Sequence, residues 1–414
     1  MNKLFIERKT LLAVFSVVMG AFILSWMINF FTEPADTQPL VLVAFDEKDS
    51  HFKDFFEVLA WDANRDPYFD VPAAYGREHA AIYLPLPLLL FYPLSCLDDY
   101  ASMSFRDAAS GIGMLSVTFF TCISLICLFL ALYKLGKSRK SALLIWGLLF
   151  FSSVSLTAID AGNFIILSAA CITTFLLFYD SPSKGYRNLA LVCLTVASVL
   201  KIYPVLFGVF LLFDKKYKSI GICVVLGLAL TFLPFLFFHH SVSENISQLI
   251  LNLASASDNT GQVFAFAYAS WGLPNVVAHV VEVMKLPEGL VAVSWYIQLL
   301  LAVISIILCF FTKNNWLRIG ILSIVVMIVP DRSLFYCGLY FFPAIVVFFN
   351  RQTFTLKDWM YVLLFCVFLN PAQVKYAIAT SNMAILLIWG LLLIDVLKEV
   401  KPGWLNGGKL TFAA

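Results

Sequence analysis

The sequence has little charge for its length and lacks the short motifs of nucleotide and hydrolase chemistry. Charged residues make up 13% of the 414 positions, whereas 61% are hydrophobic and the mean hydropathy is +0.88. There is no Walker motif, no G-x-G-x-x-G, no H-E-x-x-H and no G-x-S-x-G. ATP hydrolysis and zinc or serine hydrolase chemistry are therefore unsupported. The net charge of +2 gives no reason to expect a nucleic acid partner.

Cysteine pairs are also missing. None of the nine cysteines forms a C-x-x-C pair, and nearly all of them lie inside apolar segments. We interpret them as small packing residues of helices rather than as disulfide partners or metal ligands.

The sequence is rich in apolar runs of about twenty residues. The core of a soluble protein does not need so many of them. Such runs predict an all-α polytopic membrane protein, a single integrated domain of about twelve transmembrane helices. The first run, residues 10–31, is longer than a signal-peptide core and no A-x-A site follows closely, so we expect an uncleaved helix. The other runs fall at 111–134, 141–157, 162–179, 186–200, 203–213, 219–238, 289–312, 316–330, 333–349, 358–370 and 376–397.

The charge distribution decides whether the short run Ile82–Leu97, with three prolines, crosses the membrane. If it does not cross, 19 of the 28 basic residues lie in the cytoplasm and 9 outside; if it crosses, the split becomes 8 to 20. The positive-inside rule favours the first arrangement. The segment is therefore predicted to be re-entrant or interfacial, with both chain termini in the cytoplasm.

This topology places most of the polar loop residues on the outer face of the membrane. The outer loops are residues 32–110, before the core helices of 111–238, and residues 239–288, before the C-terminal helices of 289–397; residues 398–414 form a cytoplasmic tail. The cytoplasmic loops hold only a few residues each. We expect the protein to work on its outer face, in a bacterial inner membrane and hence on the periplasmic side.

Lys201 interrupts a long apolar stretch, in the order Leu200-Lys201-Ile202-Tyr203-Pro204. A charge at membrane depth costs several kcal/mol, so a lysine there indicates a functional site. Proline interrupts the helix because it has no N–H to donate. We expect the chain to surface here, turn in a helical hairpin and present Lys201 to a phosphate.

Asp54 is the candidate general base. The segment Lys53 to Asp62 has apolar residues at helical spacing and predicts an amphipathic helix on the membrane surface. An aspartate at its start is either an N-cap or a base that takes a proton from a sugar hydroxyl. Glu57 shares its face and is the alternative base. Asp62, Asp66 and Asp70 are interpreted as solvated or turn residues.

Four motifs in the first half of the chain resemble those of GT-C glycosyltransferases that use polyprenyl-phosphate sugars. They are D-F-x-x-x-x-A from Asp54, P-Y at Pro67-Tyr68, Y-x-P-L-P from Tyr83, and Asp160-Ala161-Gly162-Asn163. A further one is Lys201-Ile202-Tyr203-Pro204, followed by the basic cluster Lys215-Lys216-Tyr217-Lys218. The set is most similar to the DUF2029 type, glycosyltransferase family 87, over roughly residues 50–220. The histidine-containing late loop of that family has no histidine in its counterpart here, Pro330-Asp331-Arg332-Ser333.

The resemblance implies inverting transfer of a hexose from a polyprenyl-phosphate donor to a glycan or glycolipid acceptor. Asp54 would be the base, and Lys201, with Arg332 second, would stabilise the phosphate leaving group. Tyr203, Asp160 and Asn163 belong to the matching motifs. Asp160 would bind the acceptor or, with Asp54, a divalent cation, or simply cap a helix; no cofactor is predicted.

Other candidates have structural alternatives. His79 and Tyr83 would bind phosphate or, for Tyr83, anchor at the interface. Arg332 would contact substrate or pair with Asp331. Trp271 would stack on a sugar or anchor at the membrane surface.

Two other functions stay open. A flippase or transporter predicts a polar path through the bundle and often an internal repeat, whereas the ionisable residues here cluster at outer helix ends. An O-antigen polymerase or ligase relies on arginines in its outer loops, and residues 239–289 contain none.

Overall fold

The protein is all-α and is described here from a computed structural model, over residues 7–32, 51–63, 65–70, 80–258, 270–330, 334–371 and 377–404. Those residues form α-helices and short 3₁₀ helices and include no β-strand, as the sequence predicts. They fall into two compact units. The first unit is Met1–Leu40, Leu132–Leu156 and Val263–Ala414, and the second is Val41–Ala131 and Thr157–Gln262.

Eighteen α-helices are found in the described residues. They are α1 (Arg8–Thr32), α2 (Lys53–Asp62), α3 (Pro85–Ser95), α4 (Phe105–Ala108), α5 (Gly111–Leu135), α6 (Arg139–Phe150), α7 (Ser153–Ala161), α8 (Ile165–Phe178), α9 (Lys184–Leu200), α10 (Val209–Phe213), α11 (Tyr217–Phe232), α12 (Val242–Asp258), α13 (Leu273–Met284), α14 (Gly289–Cys309), α15 (Asn315–Ile328), α16 (Phe342–Phe349), α17 (Asp358–Leu369) and α18 (Ala377–Trp404). The 3₁₀ helices are Tyr203–Gly208, Leu233–Phe237 and Phe335–Phe341.

Five helical segments of the described chain are long and apolar enough to span a membrane. They lie in α1, α5, α11 with the 3₁₀ helix after it, α14 and α18, and α6 with α7 makes a sixth if that pair, bent by 60°, is one span. The chain is a multi-pass membrane protein. Twelve spans are not confirmed: each predicted run contains a helix, but several are only 10–17 residues long. Turns and prolines cut these helices short of the ~20 residues that a crossing needs.

The first unit is organised around α15, which is buried along its length. Asn314 caps this helix by accepting a hydrogen bond from the Trp316 backbone N–H, at 3.2 Å. The Trp316 ring packs against Phe348 of α16, with ring centroids 5.0 Å apart. A helix that is apolar on every side is stable only when neighbours cover it, so α15 forms the core of this unit.

The second unit has an aromatic core that includes α2. Phe55 of α2 meets Phe91 of α3 edge to face, with centroids 5.4 Å apart. Eight of the ten residues of α2 are buried. The prediction of a helix here is confirmed, and α3 and other segments of this unit cover its polar face as well. Its placement at the membrane surface stays a prediction.

Helix α3 is the only α-helix within the predicted short run Ile82–Leu97. It begins at Pro85, after Leu84 in an extended conformation, which suits a proline at the first helical position. Its eleven residues cover about 17 Å, roughly half of the hydrocarbon thickness. Its re-entrant or interfacial placement stays a prediction.

The chain reverses direction after α9. Lys201 is extended (φ −143°) and ends the helix, and a 3₁₀ helix begins at Tyr203 with Pro204 in its first turn. Arg187 near the start of α9 and Lys215 after α10 line the same cavity. The segment after Lys201 therefore returns to the level at which α9 begins.

Candidate active site

Asp54 lies in the first turn of α2, at one end of the aromatic core. The residue before this helix, Phe52, has a left-handed backbone (φ 58°), and its N–H donates to the Asp160 carbonyl at 2.7 Å. Phe52, not Asp54, is therefore the N-cap residue of α2. The Asp54 carboxylate is half-buried, and its Oδ2 accepts a hydrogen bond from Asn163 Nδ2 at 2.5 Å.

The turn between α7 and α8 brings Asp160 and Asn163 to the start of α2. Asp160 is buried, and its Oδ1 lies 2.9 Å from His51 Nδ1. Asn163 is completely buried, and its Oδ1 accepts from the Ile165 N–H at 2.8 Å. Asn163 rather than Asp160 thus satisfies the first backbone N–H of α8, and this bond fixes the amide so that its Nδ2 faces Asp54.

Gly162 allows this turn to form. Its φ is +62°, and an added Cβ would lie 2.9 Å from the Phe55 Cβ. Both the left-handed backbone and the close approach of α2 require the absence of a side chain. The glycine therefore sets the distance between Asp54 and Asn163.

Lys201 lies over two aromatic rings at the end of α9. Its Nζ is 4.6 Å from the Phe164 centroid and 4.8 Å from the Tyr83 centroid, and the two rings are 5.1 Å apart. Ring faces attract a cation that has been partly removed from water, so they hold the half-buried ammonium in place.

The two halves of the site meet at consecutive residues. Asn163 binds the Asp54 carboxylate, and Phe164 supports the Lys201 ammonium. Residues from four separate parts of the second unit therefore form one cluster, although the Asp54 and Asn163 side chains are 109 residues apart in sequence. Among the described residues, no three His, Cys, Asp or Glu side chains are grouped so as to hold a metal ion.

The remaining predicted site residues are dispersed. Glu57 is 3% exposed inside the second unit, and Tyr203 is half-buried at the start of its 3₁₀ helix. His79 and Arg332 lie outside the described residues.

Trp271 belongs to the first unit. It is 1% exposed, its ring stacks on Phe335 with centroids 4.7 Å apart, and its Nε1–H donates to the Phe335 carbonyl at 3.0 Å. That ring is part of a core and is not open for stacking on a sugar.

Two features escape the sequence interpretation. His51 carries no motif and enters only because the start of α2 meets the α7–α8 turn. Asp62, interpreted as solvated, is completely buried, and neither of its oxygens has a hydrogen-bond partner within the described residues. Helical spacing was the available signal, since Asp62 is seven residues after Phe55 and four after Val58, on the face that enters the core.

Burial without a partner makes Asp62 a weak acid. Desolvation raises its pKa from 3.8 to about 8, although the positive charge of Arg65 acts in the opposite direction. Asp62 lines a small cavity of about 30 Å³ beside Arg65 and Tyr92, large enough for one water molecule. The Arg65 Nε donates to the Tyr92 hydroxyl at 2.8 Å. The carboxyl is therefore neutral at pH 7, far along α2 from Asp54.

Comparison with known proteins identifies a family for this chain. The sequence model of glycosyltransferase family 87 matches residues 81–335, more than half of the chain. The matched region contains Asp160, Asn163 and Lys201 but starts after Asp54. No curated protein and no solved structure gives a significant match.

Proposed function

The chain belongs to glycosyltransferase family 87, and from this we propose that it transfers a hexose from a polyprenyl-phosphate donor to a glycan or glycolipid acceptor. The transfer would invert the anomeric carbon and take place at the outer, periplasmic face of a bacterial inner membrane. The positive-inside distribution supports this sidedness. Membership of a glycosyltransferase family favours sugar transfer over a flippase or transporter. The lack of arginine in residues 239–289 argues against an O-antigen polymerase or ligase.

One observation carries the proposal: a carboxylate and a cation converge on Asn163 and Phe164. Transfer from a sugar phosphate needs a base for the acceptor hydroxyl and a positive charge for the leaving phosphate. Asp54 and Lys201 provide that pair, and both are half-buried at one place in one unit.

Asp54 is proposed as the general base. Its Oδ2 is held by Asn163, and its Oδ1 accepts no hydrogen bond within the described residues. As the acceptor oxygen attacks the anomeric carbon, its proton moves to Oδ1 and the bond from that carbon to the phosphate oxygen breaks. A single displacement of this kind inverts the configuration. Glu57 is less suited, because it is almost fully buried.

Lys201 is proposed to stabilise the polyprenyl phosphate that leaves. Negative charge grows on the phosphate oxygen during bond breaking, and a fixed cation nearby lowers the energy of that state. The rings of Tyr83 and Phe164 restrict the ammonium before substrate arrives. Less reorganisation is then needed during the reaction.

Asp160 and Tyr203 are proposed to contact the substrates. Asp160 is oriented by His51 and lies next to the Asp54–Asn163 pair in the α7–α8 turn, a place suited to an acceptor hydroxyl. Tyr203 follows Lys201 by two residues at the helix break, where its hydroxyl can support the donor phosphate.

The test is sugar transfer by the purified full-length protein with radiolabelled polyprenyl-phosphate hexoses and a panel of lipid-linked acceptors. Asp54→Asn keeps the shape of the side chain but not its basicity, so we expect kcat to fall about 10²- to 10⁴-fold. Asp70→Asn is the matched control, since Asp70 is an exposed aspartate of the same loop. It should leave kcat unchanged.

Two results would overturn this proposal. Near-wild-type turnover by Asp54→Asn removes Asp54 as the base, and a comparable loss in Glu57→Gln alone would transfer that role to Glu57. Transfer from nucleotide sugars, with none from any polyprenyl-phosphate sugar, would contradict the donor class.

A further inference from the structure

A cavity lined by cationic side chains lies at the start of α9, at the opposite end of this helix from Lys201. It is an open cavity of about 610 Å³ between the segments that precede α9 and α11, which we call the basic pocket. Four cationic side chains line it, and only one carboxylate does so; the cations are Arg187, Lys215, Lys216 and Lys218. Its size matches that of ordinary small-molecule sites.

Only part of this positive charge is compensated. Lys216 is paired with Asp180 at 2.6 Å and lies 3.9 Å from a second carboxylate, that of Asp214. It also donates to the Tyr179 carbonyl at 3.2 Å. The side chains of Lys215 and Lys218 are exposed and form no hydrogen bond or ion pair within the described residues. One guanidinium nitrogen of Arg187 donates hydrogen bonds to the carbonyls of Ser181 and Pro182. The pocket thus keeps a surplus of donors and positive charge.

Two helices start at this pocket and add to its positive potential. Helix α9 begins at Lys184 and α11 begins at Tyr217, and neither has a side-chain cap. The unpaired N–H groups and the dipole at a helix start favour an anion. Cationic side chains and helix dipoles therefore attract the same kind of ligand.

The surroundings indicate that this anion belongs to a lipid. The pocket lies at the start of the Tyr217–Phe237 segment, one of the membrane-spanning candidates, whose most apolar stretch is only 11% buried. Val225 on this segment is 70% exposed. Side chains of this kind face acyl chains, so the basic pocket lies where phospholipid headgroups are.

We propose that the basic pocket binds the phosphate headgroup of an anionic membrane phospholipid. The positive-inside distribution puts these lysines on the cytoplasmic side, so the lipid would come from the inner leaflet. The bound headgroup would hold the starts of α9 and α11 at a fixed depth. The site is about 20–25 Å along α9 from Lys201 and is separate from sugar transfer.

Native mass spectrometry of the full-length protein in detergent, titrated with phosphatidylglycerol and with phosphatidylcholine, tests this proposal. Lys215→Gln/Lys218→Gln should weaken phosphatidylglycerol binding about 20- to 30-fold, at roughly fivefold for each lysine. Arg139→Gln/Lys140→Gln is the control, because it removes the same charge from exposed positions at the start of α6. The control should bind like wild type.

Three results would overturn the proposal. The first is that the control variant loses as much phosphatidylglycerol affinity as the lysine variant. The second is that the wild type binds both lipids with equal affinity, and the third is that inorganic phosphate at matched concentration displaces phosphatidylglycerol. The last result would indicate a site for a soluble phosphate. An unchanged thermal unfolding midpoint in the lysine variant shows that the loss comes from the pocket and not from misfolding.

Discussion

The Asn163 side-chain amide donates a hydrogen bond to the Asp54 carboxylate across 109 residues of sequence, with a nitrogen–oxygen distance of 2.5 Å. The same asparagine uses its oxygen to accept from the Ile165 N–H at the start of α8. Its two bonds couple the position of the proposed base to the start of α8, directly after Phe164, over whose ring the Lys201 ammonium lies.

Asn163→Ala should lower kcat, because Asp54 loses the donor that orients it. A misplacement of about 1 Å at a reacting group costs on the order of 100-fold. Asn163 is proposed as a positioning residue, so the KM for the donor should change little.

Asn163→Asp separates the two bonds of this residue. It retains an oxygen for the Ile165 N–H but has no donor for Asp54, so it should be as inactive as Asn163→Ala. Steady-state kinetics of both variants measure this, and full activity of Asn163→Asp would contradict the orienting role.

Lys201→Met should weaken use of the donor while preserving the packing of the apolar stem on Phe164 and Tyr83. Loss of a charged hydrogen bond to phosphate lowers kcat/KM about 10- to 100-fold. Initial rates over a range of donor concentrations measure the change.

Lys134→Met serves as the control, because Lys134 is an exposed lysine in the last turn of α5. Equal losses in both variants would contradict the phosphate role of Lys201.

Gly162→Ala should destabilise the second unit. A left-handed backbone costs an alanine about 1–2 kcal/mol, and its Cβ would also press on Phe55. We expect a lower thermal unfolding midpoint together with reduced activity, since Asp54 and Asn163 would be pushed apart.

Gly147→Ala is the matched control in a helix interior. Nothing lies within 4 Å of the added Cβ there, and alanine is favoured over glycine in helices by roughly 0.5–1 kcal/mol. Its midpoint should be equal to or above that of wild type. A fall in this variant and not in Gly162→Ala would refute the argument about the turn.

Asp62 should make stability depend on pH. The folded protein keeps the Asp62 proton up to a pKa of about 8, whereas the unfolded chain releases it near 3.8. Between these values the folded state binds more protons, so the contribution of Asp62 to stability is full below 3.8 and is lost as pH rises towards 8.

Asp62→Asn removes this dependence. At pH 7 the variant should therefore unfold a few degrees above wild type, and the difference should shrink as pH is lowered towards 4. Thermal unfolding at pH 5, 6, 7 and 8 gives the comparison. A constant difference across this range would contradict the burial of an ionisable carboxyl.

The sequence predicted much of the secondary structure, because apolar composition and helical periodicity are local properties. All predicted runs contain helices, and the break after Lys201 follows from Pro204. The number of crossings was not predictable in the same way, since hydropathy does not distinguish a short helix covered by protein from one that crosses lipid. Trp271 illustrates the same limit: its type suits either sugar stacking or packing, and only its position in the first unit puts it in a core.

By itself the sequence determined the membrane class and the family, because motif order and hydropathy are written along the chain. Five residues now found together were also named from it: Asp54, Tyr83, Asp160, Asn163 and Lys201. Tertiary structure alone decided that they form one cluster, that His51 contacts Asp160 and that Asp62 is buried with no hydrogen-bond partner among the described residues. These features depend on contacts between segments about a hundred residues apart and on the exclusion of water by packing. The local sequence encodes neither the contacts nor the loss of solvent.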